Sequence, residues 1–185
     1  RMSSAIHTPT LTGLTTCALG RTRRPQSSPT AGSAASRPLD LEKIPSAKNL
    51  RFGIVVSKWN TEITTNLLNG CLELLYNKGV NKEDIDILHV PGSFELIYGC
   101  KTLQNKNYDS VIAIGSVIRG ETKHFDFICN ATSNGIKDLN LLDKCPVVFC
   151  VLTDDNIQQS IDRSGGKYGN KGTEAAIAAI EMALI

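Results

Sequence analysis

The side chains that could move a proton or hold an anion gather in a few short stretches of this sequence. The longest is residues 110–127, Ser-Val-Ile-Ala-Ile-Gly-Ser-Val-Ile-Arg-Gly-Glu-Thr-Lys-His-Phe-Asp-Phe. An apolar, β-branched run ends at Ile118, Arg119-Gly120 supplies a turn, and a helical period begins near Glu121. Thr122 and His124 are therefore expected in the first turn of a helix. Helix starts expose N–H groups that favour an anion. The same positive end favours the uncharged imidazole, the form a proton acceptor needs. A lone His is more often structural or solvated, and this position is what lifts His124 above that reading. Trp59-Asn60, Ser93-Phe94-Glu95 and residues 153–156 are the other stretches. Arg163 and Lys171 flank a glycine-rich loop, residues 165–172, and suit phosphate or a polyol. The plainer readings are a helix C-cap for Arg163, a solvated charge for Lys171 and simple packing for Trp59.

These residues need a scaffold that brings them to one place. Residues 51–57, 85–90, 110–118 and 146–152 read as strands, the third apolar on both faces as in a covered parallel sheet. Helical patterns follow each strand. The first, capped by Asn60 or Thr61, has Ile63, Leu67, Leu68, Cys71, Leu74 and Leu75 on one side and stops at Gly79. Others are expected over 94–104, from 121 onward, over 154–163 and from 173 to the end. Four alternations of strand and helix imply right-handed crossovers, a parallel sheet and helices on both faces. In such a sheet the loops after the strands open on one rim, where ligands bind. That rim would carry Trp59 and Asn60, Ser93 to Glu95, residues 120–124 and residues 153–156.

The 185 residues suffice for one domain of ordinary size. Charge is uneven: residues 1–39 hold five Arg and no acidic residue, so with +2 for the whole chain residues 40–185 carry −3. That disfavours a nucleic-acid-binding core. No apolar run is long enough to span a membrane. Six Cys without a C-x-x-C pair and three scattered His suggest neither a disulfide framework nor a metal site. Neither G-x-x-x-x-G-K-[ST] nor G-x-G-x-x-G occurs. Residues 1–39, with 13 Ser or Thr, four Pro and five Arg, are expected to be a disordered basic arm. It reads as a transit peptide, an interaction arm or an appended fusion segment. A transit peptide would direct the protein to a plastid; otherwise the expectation is the cytoplasm. Residues 40–50 read as a linker or an edge strand, and residues 51–185 as the folded domain.

Taken together, Pro91-Gly92-Ser93-Phe94-Glu95, Gly-Ser-Val-Ile-Arg-Gly-Glu-Thr-Lys-His at 115–124, Phe149 within Pro-Val-Val-Phe-Cys-Val-Leu-Thr, and Arg163 with Gly-Gly-Lys-Tyr-Gly-Asn-Lys-Gly resemble the lumazine synthase family over residues 50–185. The resemblance implies a flavodoxin-like, three-layer α/β fold with a four-stranded parallel sheet. It implies a transferase that needs no cofactor or metal. That enzyme condenses 5-amino-6-ribitylaminouracil with 3,4-dihydroxy-2-butanone 4-phosphate in the penultimate step of riboflavin biosynthesis. Carried over position by position, Trp59 would stack on the pyrimidine and Ser93, Phe94, Glu95 and Lys171 would hold the ribityl chain. Main-chain groups at Val117 and Ile118 would read the pyrimidine edge. Gly120, Glu121, Thr122 and Arg163 would bind phosphate, and His124 would transfer protons. Phe149 and Arg163 would come from a neighbouring subunit, which implies a homopentamer or a shell of pentamers. The final helix, apolar nearly all round, needs cover on more than one side. A flavin-like ligand-binding module and a shell-forming scaffold are the alternatives on the same fold. Cys150 departs from the family pattern, where Gly is common.

Overall fold

The computed structural model describes residues 41–185, so the expectations for residues 1–39 lie outside the described residues. Strands β1 (Phe52–Ser57), β2 (Ile85–Val90), β3 (Ser110–Ile118) and β4 (Val147–Asp154) form one sheet in the order β2-β1-β3-β4, every neighbouring pair parallel. Alternate side chains of β1 face opposite layers, as the two-residue period of a strand requires. Phe52, Ile54 and Val56 join one core with Ile112, Ile114, Cys150 and Leu152, covered by α1 (Thr61–Asn77) and α5 (Lys171–Ala183). Val55 joins the other with Val111, Ala113, Val147 and Val151, covered by α2 (Leu96–Gln104) and α3 (His124–Leu139). The result is the expected three-layer α/β sandwich. After β4 come α4 (Ile157–Arg163) and a small antiparallel hairpin, β5 (Ser164–Gly166) with β6 (Gly169–Asn170), which is the form taken by the glycine-rich loop.

Several boundaries differ from expectation. The helix starts expected near 94, 121 and 154 fall at Leu96, His124 and Ile157, so Ser93 to Glu95, residues 120–123 and residues 154–156 precede their helices. Thr122 thus lies outside the first turn of α3. Asn60 occupies the N-cap position of α1 in left-handed backbone (φ 54°), but its side chain does not cap. Its Nδ2 donates instead to the Ser116 carbonyl at 3.0 Å, pinning the loop after β1 to β3. Residues 41–50 are neither linker nor edge strand. A 3-10 turn at Leu41–Lys43 leads to buried Ile44 and Ala47, and the Ala47 N–H donates to the Lys78 carbonyl at the end of α1. Two buried apolar side chains give this segment a reason to pack.

Helix α5 is covered more completely by its own chain than its composition suggested. Ala175, Ala176, Ile177, Ala179 and Ile180 are all buried in the α1–α5 core. Gly172 sets the approach: a Cβ there would lie 1.8 Å from the Leu67 carbonyl oxygen of α1. Among the described residues only Met182, Leu184 and Ile185 remain as exposed large apolar residues at this end.

Candidate active site

At the carboxyl ends of β1, β2 and β3 the loops enclose a cleft of about 680 Å³. Trp59, Asn60, Ser93, Phe94, Glu95, Val117, Ile118, Gly120, Thr122 and His124 line it, with Phe125 and Ile128 of α3 as apolar wall. The Trp59 indole is 72% exposed, so it is a free plate at the cleft and not a packed core side chain. The loop carrying it is fixed by the Asn60 bond to β3 and by the Trp59 N–H donating to Ser57 Oγ at 3.2 Å. Ser93 is nearly buried, and its Oγ has no hydrogen-bond partner among the described residues. It sits against Gly115 of β3, where a Cβ would come within 2.9 Å of both Ser93 Oγ and Leu96 Cδ1. Glycine at that strand position is what lets the loop after β2 close on the sheet. Phe94 and Glu95 are exposed on the same rim.

The loop from Gly120 to Lys123 has the features of an anion seat. Its four amides have no protein acceptor among the described residues, while the His124 N–H donates to Thr122 Oγ1 at 3.3 Å. They lie at the start of a 16-residue helix whose dipole favours negative charge. His124 is the first residue of α3, exposed to the cleft. Its ring makes no hydrogen bond among the described residues, so its placement comes from the α3 backbone alone. Glu121 is exposed and does not line the cleft, leaving its amide as its contribution there.

Three expected site residues lie elsewhere. Phe149, Arg163 and Lys171 line a second cavity, about 350 Å³, between β4, the end of α4 and the start of α5. Lys171 therefore does not share its own chain's rim with Ser93 to Glu95, as had been expected; it groups with Phe149 and Arg163. Its Nζ bonds Glu174 Oε2 at 2.5 Å, an i, i+3 pair half-buried on both sides. Arg163 ends α4, and its Nε is buried with no acceptor among the described residues. An unpaired guanidinium nitrogen beside a lysine makes this cavity suited to an anionic or hydroxyl-rich group. Glu174 escaped sequence reasoning, although its spacing from Lys171 was a signal. The loop after β4 does not line the first cleft either; its Asp155 Oδ1 accepts from Arg119 Nε at 2.8 Å.

Among the described residues no cysteine has thiolate character. Burial pushes the thiols of Cys71, Cys100 and Cys150 up, the latter two to about 12, and burial also raises Cys129 and Cys145. A thiol without thiolate character is inert at neutral pH. Among the described residues no three His, Cys, Asp or Glu side chains cluster to hold a metal ion, and no helix is long and apolar enough to cross a membrane.

The chain is similar in sequence to known proteins. The profile of the 6,7-dimethyl-8-ribityllumazine synthase family matches residues 49–185. Among similar proteins bearing that name, one from Christiangramia forsetii is 60% identical over 146 residues, 78% of this chain and 87% of the relative. Others from Flavobacterium johnsoniae and Flavobacterium psychrophilum are 63% and 56% identical over 147 residues each, 79% of this chain and 77% and 78% of theirs. The match spans both cavities and every strand and helix that builds them, and on that ground the chain belongs to the 6,7-dimethyl-8-ribityllumazine synthase family.

Proposed function

We propose that the chain condenses 5-amino-6-ribitylaminouracil with 3,4-dihydroxy-2-butanone 4-phosphate to form 6,7-dimethyl-8-ribityllumazine, at sites shared between copies of itself. The observation that carries this reading is the cleft after β1, β2 and β3, where an exposed indole, a carboxylate, a loop of unpaired amides and an imidazole face one space. In this reading Trp59 stacks on the pyrimidine, main-chain groups at Val117 and Ile118 read its edge, and Ser93, Phe94 and Glu95 hold the ribityl chain. The amides of Gly120, Glu121 and Thr122 seat the phosphate. The uracil's amino group forms an imine with the ketone and releases water. Proton loss beside the imine expels phosphate, and the ribityl-bearing nitrogen then closes the ring on the new carbonyl with loss of water. His124 transfers the protons, a task for a positioned imidazole. The cleft supplies the alignment that makes the condensation effectively unimolecular.

Phe149, Arg163 and Lys171 are assigned to a neighbour's cleft, completing it. Support comes from their separate cavity and from the exposed aromatic surface at Trp59, Phe94, Tyr98 and Phe127, which a partner would cover. A head-to-tail contact that closes gives a ring with a complete site at every junction, here a homopentamer or a shell of pentamers. The activity test is direct: the protein with both substrates should form lumazine with phosphate released in step, and failure to do so refutes the assignment. The shared site has its own test. Inactive His124→Ala and Arg163→Ala subunits, dissociated and reassembled together, should regain part of the activity, because some junctions pair an intact His124 with an intact Arg163. No recovery in particles shown to contain both would mean that one chain builds each site.

A further inference from the structure

Arg119, the first residue past β3, has no role in the chemistry above, yet it bonds to β4, to the loop after β4 and to α3. Its N–H extends the ladder to the Asp154 carbonyl at 2.9 Å. Its Nε donates to Asp155 in the loop after β4 at 2.8 Å, and its NH1 to Asp126 in the first turn of α3 at 3.2 Å. The guanidinium carbon stands 4.1 Å from the centroid of the buried Phe125 ring. Phe125 and Asp126 directly follow His124. An isolated exposed pair would fix little, but a planar cation held by two carboxylates and a ring is a network with one geometry.

We propose that Arg119 is a positioning residue, a clamp that sets the His124 imidazole and the amides of residues 120–123 against the strand ends. The need is visible in what the loop lacks. Between Arg119 and α3, its recorded side-chain bond is the local one from the His124 N–H to Thr122 Oγ1, and the His124 ring has no partner of its own among the described residues. Among the described residues neither side-chain group is bonded to the sheet. Arg119 supplies that tie by gripping the two residues after His124, and through Asp155 it joins the loop that starts α4. There the Asp155 N–H donates to Gln159 Oε1 and the Gln159 N–H to Asn156 Oδ1, and α4 ends at Arg163. One cation thus ties the start of α3, which bears His124, to the loop that starts α4, the helix that ends at Arg163.

The inference rests on the lumazine-forming reading, and wild-type turnover measured in parallel tests that reading separately. Arg119→Met, Asp155→Asn and their double variant are compared by kcat, by KM for each substrate and by hydrogen exchange across residues 119–127, which does not depend on the reaction. A clamp predicts a kcat loss of roughly 10- to 100-fold for Arg119→Met, since misplacement by about 1 Å can cost that much. It predicts faster exchange over 119–127, a smaller loss of the same kind for Asp155→Asn, and no further loss in the double variant. Arg119→Lys should restore only part, because an ammonium cannot span both carboxylates in one plane. Asp155→Asn alone decides the matter if Arg119→Met does not fold. A loss confined to KM for the butanone phosphate with Asp155→Asn unaffected would make Arg119 a phosphate ligand and overturn the clamp. Unchanged exchange or unchanged kcat would overturn it equally.

Discussion

Gly172→Ala should loosen the packing that carries half of the second cavity, and its magnitude can be worked from one distance. The new Cβ would lie 1.8 Å from the Leu67 carbonyl oxygen and 2.9 Å from Asn170 Oδ1. A carbon–oxygen contact relaxes at about 3.3 Å, so α1 and α5 must part by roughly 1.5 Å along that line. The obstacle is backbone, so no side-chain rotation relieves it. Moving α5 disturbs Ala176, Ala179 and Ile180 against Leu67, Leu74 and Leu75, all buried in one core. Overpacking of this kind costs about 1–3 kcal/mol, offset by up to about 1 kcal/mol from alanine's better helix propensity. At roughly 2–4 °C per kcal/mol for a chain of this size, the midpoint should fall by a few degrees. Lys171 precedes the glycine, so a shifted α5 should also raise KM. Calorimetric melting alongside Gly120→Ala, where a Cβ meets nothing within 4 Å, gives the contrast. A Gly172→Ala midpoint at or above wild type would refute the reasoning.

His124→Ala should lower turnover by about 10- to 100-fold with the fold intact, since general acid–base groups contribute ~10²–10⁴ and substrate amines or water substitute in part; unchanged kcat at saturation would remove it from the mechanism. Arg163→Lys should raise KM for the butanone phosphate although the charge is kept, because an ammonium cannot grip phosphate through two parallel N–H bonds. If the KM for the uracil rises instead, Arg163 has been given the wrong substrate. Tyr108→Phe reports on an alkaline linkage: burial first, then the hydrogen bond to Asp86, pushes the Tyr108 hydroxyl up from 10 to about 12, against the Arg51 charge. A folded-state value above the unfolded one stabilises fully below about pH 10, and that stability is lost as pH rises through about 12. Tyr108→Phe should therefore cost about 1 kcal/mol near neutrality, and urea melts should show the gap to wild type closing over that window; a gap that stays constant would contradict the sign.

The strands were legible almost to the residue because β-branched apolar runs at Phe52–Ser57 and Ser110–Ile118 have few other uses. Helix starts were read too early at the three functional loops. Phe94 and Phe125 continue the apolar period, but Phe94 opens onto the cleft, and the loops hold amides free for a ligand instead of helical bonds. Asn60 looked like a cap, a use its left-handed backbone and the distant Ser116 carbonyl displaced. Residue types at the site were legible one by one, and the family motifs added their roles. What could not be read was which of them share a cavity in one chain. Lys171 turns toward Phe149 and Arg163 because α5 begins beside β4, and Arg119 finds carboxylates 7 and 36 residues away. Such partners are set by the sheet, not by spacing along the chain.

The separation of the two cavities follows from strand order. With β2-β1-β3-β4, the chain leaves β1 toward one side for β2 and crosses back to place β3 on the other, so the crevice between the ends of β1 and β3 is the topological switch point. The loops after those strands must diverge there, which is why Trp59 and His124 flank one cleft. β4 is the last strand of the sheet, with a neighbour on only one side. Phe149 stands exposed on it, and α4 and α5 bring Arg163 and Lys171 to the same outer margin. Among the described residues no strand lies beyond that margin to carry these residues back to the cleft. A parallel sheet of four strands in this order thus presents one set of groups at its centre and another at its edge. In the proposed shared site the edge of one copy meets the centre of the next, so loss of assembly should cost activity even where each chain stays folded.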